Sequence, residues 1–255
     1  MTDRLEHEAH FHDEFRAVHM GSKDPKYSAY KKWYRAGDAG RAWLDAQLAR
    51  DLPGRRALDF ACGDGHITIE MARLGADVVG IDISAASVAI ARAAASEAGV
   101  DARFEVMDAL ATDFPDDHFD VVVCAGVIHH MDPVAAYREL ARIVKPDGVV
   151  YALEGLAHNP LINLYRSRTP HLRSPDEQPL RRWEVEAARR SFAAPRFRFF
   201  SLLVLASAPF ERTPLGPPLK AILGRLDRVA LRVPGIRYQA WMVGMELRAP
   251  RTPKD

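Results

Sequence analysis

Cysteine is scarce in this chain of 255 residues, with Cys62 and Cys124 the two present. Two thiols cannot build the multi-bridge framework of a small secreted domain, and a zinc site would need several histidines beside them. Long apolar runs are missing too. The longest, Phe199 to Phe210, has 12 residues, short of the ~18 that a bilayer-spanning helix needs. The opening MTDRLEHEAHFHDEF is charged within three residues and lacks an apolar stretch, so no secretory signal is read there. Lysine is rare, 7 against 28 arginines, and no lysine-rich run or aromatic-interleaved basic strand points to nucleic acid. Repeats and low-complexity tracts are absent. What remains is a globular protein, 48% apolar, long enough to bury a full core without staples. It is expected in the cytoplasm, with no membrane or nucleic-acid partner and an oligomeric state the sequence does not set.

Charge of one sign is also lacking, since the net is +1, yet the two signs are segregated. Residues 57–154 carry a net −11 and residues 155–255 a net +10. An acidic centre suits a cationic ligand and disfavours a polyphosphate. The basic C-terminal part would attract an anionic substrate, although arginines on solvated helix faces explain most of it equally well.

The middle of the chain alternates strand and helix. Apolar runs at Ala57–Ala61, Asp77–Ile81, Arg103–Met107 and Val121–Ala125 each end in a turn or an acid, and VVYAL follows the KPDG turn (Lys145 to Gly148). Ser84 and Asp132-Pro133 are helix starts, with Val134, Tyr137, Leu140, Ala141 and Val144 on one face of the second helix. Strands about 20–25 residues apart with helices between them predict an α/β fold with a doubly wound parallel sheet. Residues 1–50 read as a helical lid, and residues 51–255 as a Rossmann-like domain with a cap insertion at about 155–180. RFRFFSLLVL reads as a strand, LKAILGRLDRVALRV as a helix and RYQAWMVGMELR as a last strand.

Chemistry concentrates where strands end. After the first strand, Gly63-Asp64-Gly65 forms a turn whose glycines allow close backbone approach, ahead of a helix N-terminus. Thr68 stands where G-x-G-x-x-G would need its third glycine, which argues against a dinucleotide pyrophosphate. Asp59 and Asp64 would suit an ammonium group. Asp82, closing the second strand, can accept hydrogen bonds from ribose hydroxyls. Asp108, closing the third, can meet the exocyclic amine of adenine, with Ile83 and Ala109 packing on the ring faces. Each aspartate alone reads as well as a helix cap. Three at successive strand ends are harder to explain that way.

These segments resemble class I S-adenosylmethionine-dependent methyltransferases of the small-molecule type. The matching residues are LDFACGDG (Leu58 to Gly65), VVGID (Val78 to Asp82), VMDA (Val106 to Ala109), FDVVVCAGVIHHMDP (Phe119 to Pro133) and KPDG. The resemblance implies a seven-stranded sheet of order 3-2-1-4-5-7-6 with the seventh strand antiparallel. It also implies S-adenosylmethionine as cofactor, with Gly63 and Gly65 near its methionine part, Asp82 at the ribose, Asp108 at the adenine and Ala125 at the methionine end. Ala61 departs from the pattern, because the family more often has glycine there.

The resemblance is nearly silent on the methyl acceptor. A hydroxyl acceptor needs a base, and His129 and His130, after the fourth strand, are the candidates; either also reads as a helix cap or core residue. His129, His130 and Asp132 together also have the chemistry of a divalent-cation site, but no metal is assigned. His7, His10 and His12 lack zinc-ligand spacing and read as a solvated helix. Acceptor contacts are expected from Tyr30, Tyr34, Glu154, His158, Asn159, Tyr165, Arg166 and His171, with Arg168 and Arg173 as further cap residues. Tyr27, beside Tyr30 and Tyr34, is expected in a lid over the cofactor. The expected function is O-methylation of a small or medium-sized metabolite of specialised metabolism, with the basic C-terminal part suited to an anionic one. Alternatives are C- or N-methylation, an intramolecular displacement on the cofactor, or a non-catalytic nucleoside-binding regulatory protein.

Overall fold

The structure is a computed structural model that describes Trp33 and residues 35–169 and 178–251. Seven strands form one sheet: β1 (Arg56–Phe60), β2 (Asp77–Asp82), β3 (Arg103–Val106), β4 (Phe119–Ala125), β5 (Val144–Gly155), β6 (Arg196–Phe200) and β7 (Met242–Arg248). Their order is β3-β2-β1-β4-β5-β7-β6, with β7 antiparallel to both its neighbours and β1 to β5 mutually parallel. This is the sheet that the motifs imply. The strand order reverses between β1 and β4, the point where open α/β sheets bind ligands at their carboxyl ends.

Period-two alternation sends β1 residues to opposite faces. Leu58 and Phe60 join a core with Tyr137, Leu140 and Ile143 of α4 (Pro133–Ile143) and Val185 and Ala188 of α6 (Arg182–Ser191). Ala57 faces the other layer, where Trp43, Leu44 and Leu48 of α1 (Ala39–Asp51) and Ile67 and Met71 of α2 (His66–Arg73) pack. Thus α1, expected as part of a lid, is a layer of the sheet's own core. The third inter-strand helix, α3 (Ala85–Ala98), starts at Ser84, whose side chain accepts from the Ser87 N–H. Asp132 caps α4 by accepting from the Val134 and Ala135 N–H groups, as its place before Pro133 predicts.

One expectation is refined and one corrected. The KPDG turn falls inside the span of β5, as four residues looped out of a ladder that jumps from Phe119↔Val144 to Val121↔Val149. RFRFFSLLVL is not one strand: β6 stops at Phe200, Ser201 takes φ 67°, and a 3-10 helix spans Val204–Phe210. The cause is Asp227 of α7 (Gly216–Ala230), whose buried carboxylate accepts from the N–H groups of Leu202, Leu203 and Val204. α5 (Pro160–Arg168) and these late elements form a roof with a small core of its own, Trp33, Ala36, Ile162, Leu205, Ala208 and Trp241.

Candidate active site

The turn after β1 is held by backbone geometry. Gly63 and Gly65 have φ 57° and 78°, values that favour glycine. A Cβ on Gly65 would lie 2.7 Å from Ala91 Cβ and 2.9 Å from Phe104 Cε1, so this position excludes every side chain. Ala61 also has a positive φ, 61°, and carries the strain that a glycine, expected there from the resemblance, would avoid.

Asp82 lies at the end of β2, half-buried. Its Oδ2 accepts from the Gly63 N–H and its Oδ1 from the Ser84 N–H, both at 2.9 Å. The first bond ties the β1 turn to the β2 end and fixes the carboxylate at the sheet edge. Asp108, also half-buried, follows β3 and accepts from the Leu110 N–H at 2.8 Å. Ile83 is half-buried beside Asp82, and Ala109 is buried within the main core. Asp64 is exposed and pairs with His66 Nδ1 at 2.9 Å, which raises the His66 pKa.

Asp59 turns inward rather than to the ligand edge. It is buried and accepts from Thr68 Oγ1 at 2.6 Å. Burial pushes its pKa up to about 6, against the lowering effect of that hydroxyl. Thr68, whose sequence signal was only a missing glycine, is therefore the partner of a buried acid. Gly80 makes room for it, since a Cβ there would meet Thr68 Oγ1 at 2.8 Å. Cys62 and Cys124 are buried, and burial pushes both thiols up, which removes them as nucleophiles.

Beyond β4 a cavity of about 1000 Å³ opens, a size typical of small-molecule sites. Ala125, Gly126, His129 and His130 line its floor beside His66 and Ile67; Tyr165 and Arg166 lie in its wall. His129 Nδ1 pairs with Glu154 Oε2 at 2.7 Å. The other Glu154 oxygen accepts from the Val127 and Ile128 N–H groups, each at 2.9 Å. Glu154 is fully buried at the end of β5 and does not line the cavity, so it is a support for the β4 turn and for His129, not an acceptor contact. With Nδ1 donating to the carboxylate, the neutral ring keeps its acceptor lone pair on Nε2. The His130 ring lies 4.2 Å from that of His129, centre to centre.

Other expected contacts divide. Asn159 is buried as the cap of α5, accepting from the Ile162 N–H and donating to the Gln239 carbonyl, so it faces away from the cavity. His158 is exposed and outside the lining. Tyr30, Tyr34 and His171, with Tyr27 and Arg173, lie outside the described residues. The wall also holds groups not foreseen from the sequence: Trp33, Arg35, Arg41, Glu211, Lys220 and Trp241. Its cations are largely matched, Arg35 with Glu211, Arg41 with Glu70 and Asp45, and Lys220 Nζ with Asp38 Oδ2 at 2.7 Å. Asp132 is committed to its helix, and no cluster of three or more metal-ligating side chains occurs among the described residues.

The profile of a methyltransferase domain family matches residues 58–152. This segment is similar to that domain family. Two ubiquinone biosynthesis O-methyltransferases are similar: that of Bordetella avium is 36% identical over 142 residues, 54% of this chain and 58% of that protein. That of Pseudomonas entomophila is 38% identical over 112 residues, 43% and 47% respectively. The chain spans about half the length of the curated relatives it matches. Among solved structures, geranyl diphosphate C-methyltransferase from Streptomyces coelicolor superposes with a TM-score of 0.59 at 17% identity, over 82% of this chain and 79% of that one. The [4+2]-cyclase SpnF gives 0.54 at 22%, over 82% and 81%. At such identities the likeness is one of fold. The matched segment thus occupies the centre of the chain, and both the roof and α1 lie outside it.

Proposed function

We propose that the chain is an S-adenosylmethionine-dependent methyltransferase that methylates a hydroxyl oxygen of a small or medium-sized metabolite. Support for the cofactor comes from the matched domain and from the fit of its residues: half-buried Asp82 and Asp108 at consecutive strand ends, and a turn at Gly63–Gly65 that admits no Cβ at Gly65. Bound S-adenosylmethionine supplies an electrophilic methyl group on a sulfonium. Asp82 would accept from the ribose hydroxyls, Asp108 would meet the adenine amine, and Ala125 would border the methionine end.

The observation that carries O-methylation is the His129–Glu154 pair on the floor of the cavity. His129 Nε2 takes the proton of the acceptor hydroxyl as the oxygen gains its methyl. Glu154 holds the tautomer and stabilises the imidazolium that forms. The remaining walls orient the acceptor and exclude water, which supplies much of the rate in a transfer that depends on alignment. The similar ubiquinone O-methyltransferases support oxygen as the methylated atom.

The test is turnover to S-adenosylhomocysteine by the full chain on a panel of phenols and catechols, with the product's methyl position read by NMR. His129→Ala is expected to lower kcat by about 10²–10⁴-fold, with cofactor affinity in a calorimeter unchanged. A full-speed His129→Ala enzyme, or a C-methyl product, overturns the assignment; no cofactor binding by the wild type overturns the whole reading.

A further inference from the structure

We infer that the outer face of α7 docks on an anionic lipid bilayer, making the protein a peripheral membrane protein. This runs against the expectation from the sequence, which is of no membrane partner because no spanning segment is present. Among the described residues no helix is long and apolar enough to cross a membrane, so the contact is one of surface.

Helix α7 is attached by one side. Gly216 and Asp227 are buried, and Leu219, Leu223 and Ala230 are half-buried. About a quarter-turn round the helix from these lie Leu215, Ile222, Leu226 and Val229, 64%, 55%, 49% and 65% exposed. Arg225, Arg228 and Arg232 occupy the side opposite the attachment. Spacings of 7, 4 and 3 put these four in one stripe on a 3.6-residue helix. Val233 and Ile236 extend it beyond the helix end and are also exposed. A water-facing helix normally keeps its exposed sides polar, and a contiguous exposed apolar stripe marks an interaction site. The three hydrogen bonds from Leu202, Leu203 and Val204 to Asp227 lock the rotation of the helix, so the stripe stays outward.

Charge chooses the occupant. Residues 212–240 hold six basic side chains and one acid, and the acid is Asp227, turned inward. Arg212, Arg225, Arg228 and Arg232 are exposed and make no ion pair among the described residues. Arg225, Arg228 and Arg232 lie along one flank of the stripe. An apolar stripe flanked by arginine is the pattern of a helix lying in a bilayer interface, with cations at the headgroups. A second copy of the chain would match the stripe but, paired antiparallel about a two-fold axis, would bring the arginine flanks against each other. The first turn of the same helix, through Gly216, Pro217 and Lys220, lines the cavity. Docking therefore places the cavity wall next to lipid, where an amphiphilic acceptor is concentrated. The docking rests on this surface alone and stands apart from the chemistry of His129.

The experiment is co-sedimentation of the full chain with vesicles of phosphatidylcholine alone or mixed with phosphatidylglycerol. Binding to the anionic vesicles is expected to exceed binding to neutral ones by about tenfold or more and to fall as salt rises from ~0.1 to ~1 M. Leu226→Glu with Val229→Glu, and separately Arg225→Glu with Arg228→Glu and Arg232→Glu, are each expected to lower it about tenfold. Thermal melts followed by circular dichroism should stay at the wild-type temperature for at least one of the two variants. Equal binding to both vesicle types, or none, overturns the inference. So does a dimer in light scattering that Leu226→Glu dissolves, because the stripe would then face a second copy.

Discussion

Around β1, β2 and β3 the groups proposed to hold the cofactor are fixed by backbone close in the chain: the Gly63 N–H reaches Asp82 over 19 residues, and the Ser84 and Leu110 N–H groups reach aspartates two residues before them. Around the cavity beyond β4 some partners come from far away. His129 meets Glu154 across 25 residues, a separation like that of Gly63 and Asp82, but Arg35 meets Glu211 across 176 and Lys220 meets Asp38 across 182. The cofactor half is a short-range device that any chain with the same motif can repeat. The acceptor half is assembled from separate segments, and its shape is free to differ between chains that share the domain.

If that contrast is right, the cofactor half fails as a unit when its backbone is disturbed. Gly65→Ala places a Cβ 2.7 Å from Ala91 Cβ at φ 78°. Left-handed strain and overpacking together are expected to cost about 2–5 kcal/mol and to lower cofactor affinity at least about tenfold. Chemical denaturation and calorimetric titration read the two effects. A Gly65→Ala protein with wild-type stability and affinity would show that the turn relaxes more easily than its packing implies.

The acceptor half should fail selectively. Glu154→Gln keeps an oxygen for the Val127 and Ile128 N–H groups but removes the charge beside His129. Turnover is expected to fall by about 10²-fold, with cofactor affinity unchanged, because the carboxylate that holds the His129 ring is gone. A proportional loss of cofactor affinity would instead mean that the two halves are coupled through the β4 turn.

What could be read from the chain follows the same division. Asp82, Asp108, Gly63 and Gly65 stand in short motifs, and all four lie at the carboxyl edge of the sheet. Glu154 carries the same signal as Asp82, an acid closing a strand, yet it is enclosed because the β4 turn folds over it. That enclosure depends on segments outside its own neighbourhood. The break after Phe200 was hidden for the same reason, since the acid that ends the strand is Asp227, in the following helix. Asp59 and Thr68 are only nine residues apart, but their pairing needs the β1–α2 turn to close. In the sequence, that threonine looked like a flaw in a glycine pattern.

The smallest expected effect concerns the one place where the short-range device departs from its family. Ala61 sits at φ 61°, and left-handed backbone costs a residue with a Cβ about 1–2 kcal/mol. Glycine would remove that strain but lose about 0.5–1 kcal/mol to the extra freedom of the unfolded chain. Ala61→Gly is therefore expected to stabilise the protein by up to about 1 kcal/mol, raising Tm by about 2–4 °C, with cofactor affinity equal or tighter. A competing term has the opposite sign: the Ala61 methyl packs against the main core, and its loss uncovers apolar surface worth up to ~0.8 kcal/mol. A calorimetric scan decides between them. A lower Tm would mean that the methyl's contacts outweigh the strain, and that alanine here stabilises the turn from the core side while glycine in the family leaves it open on the ligand side.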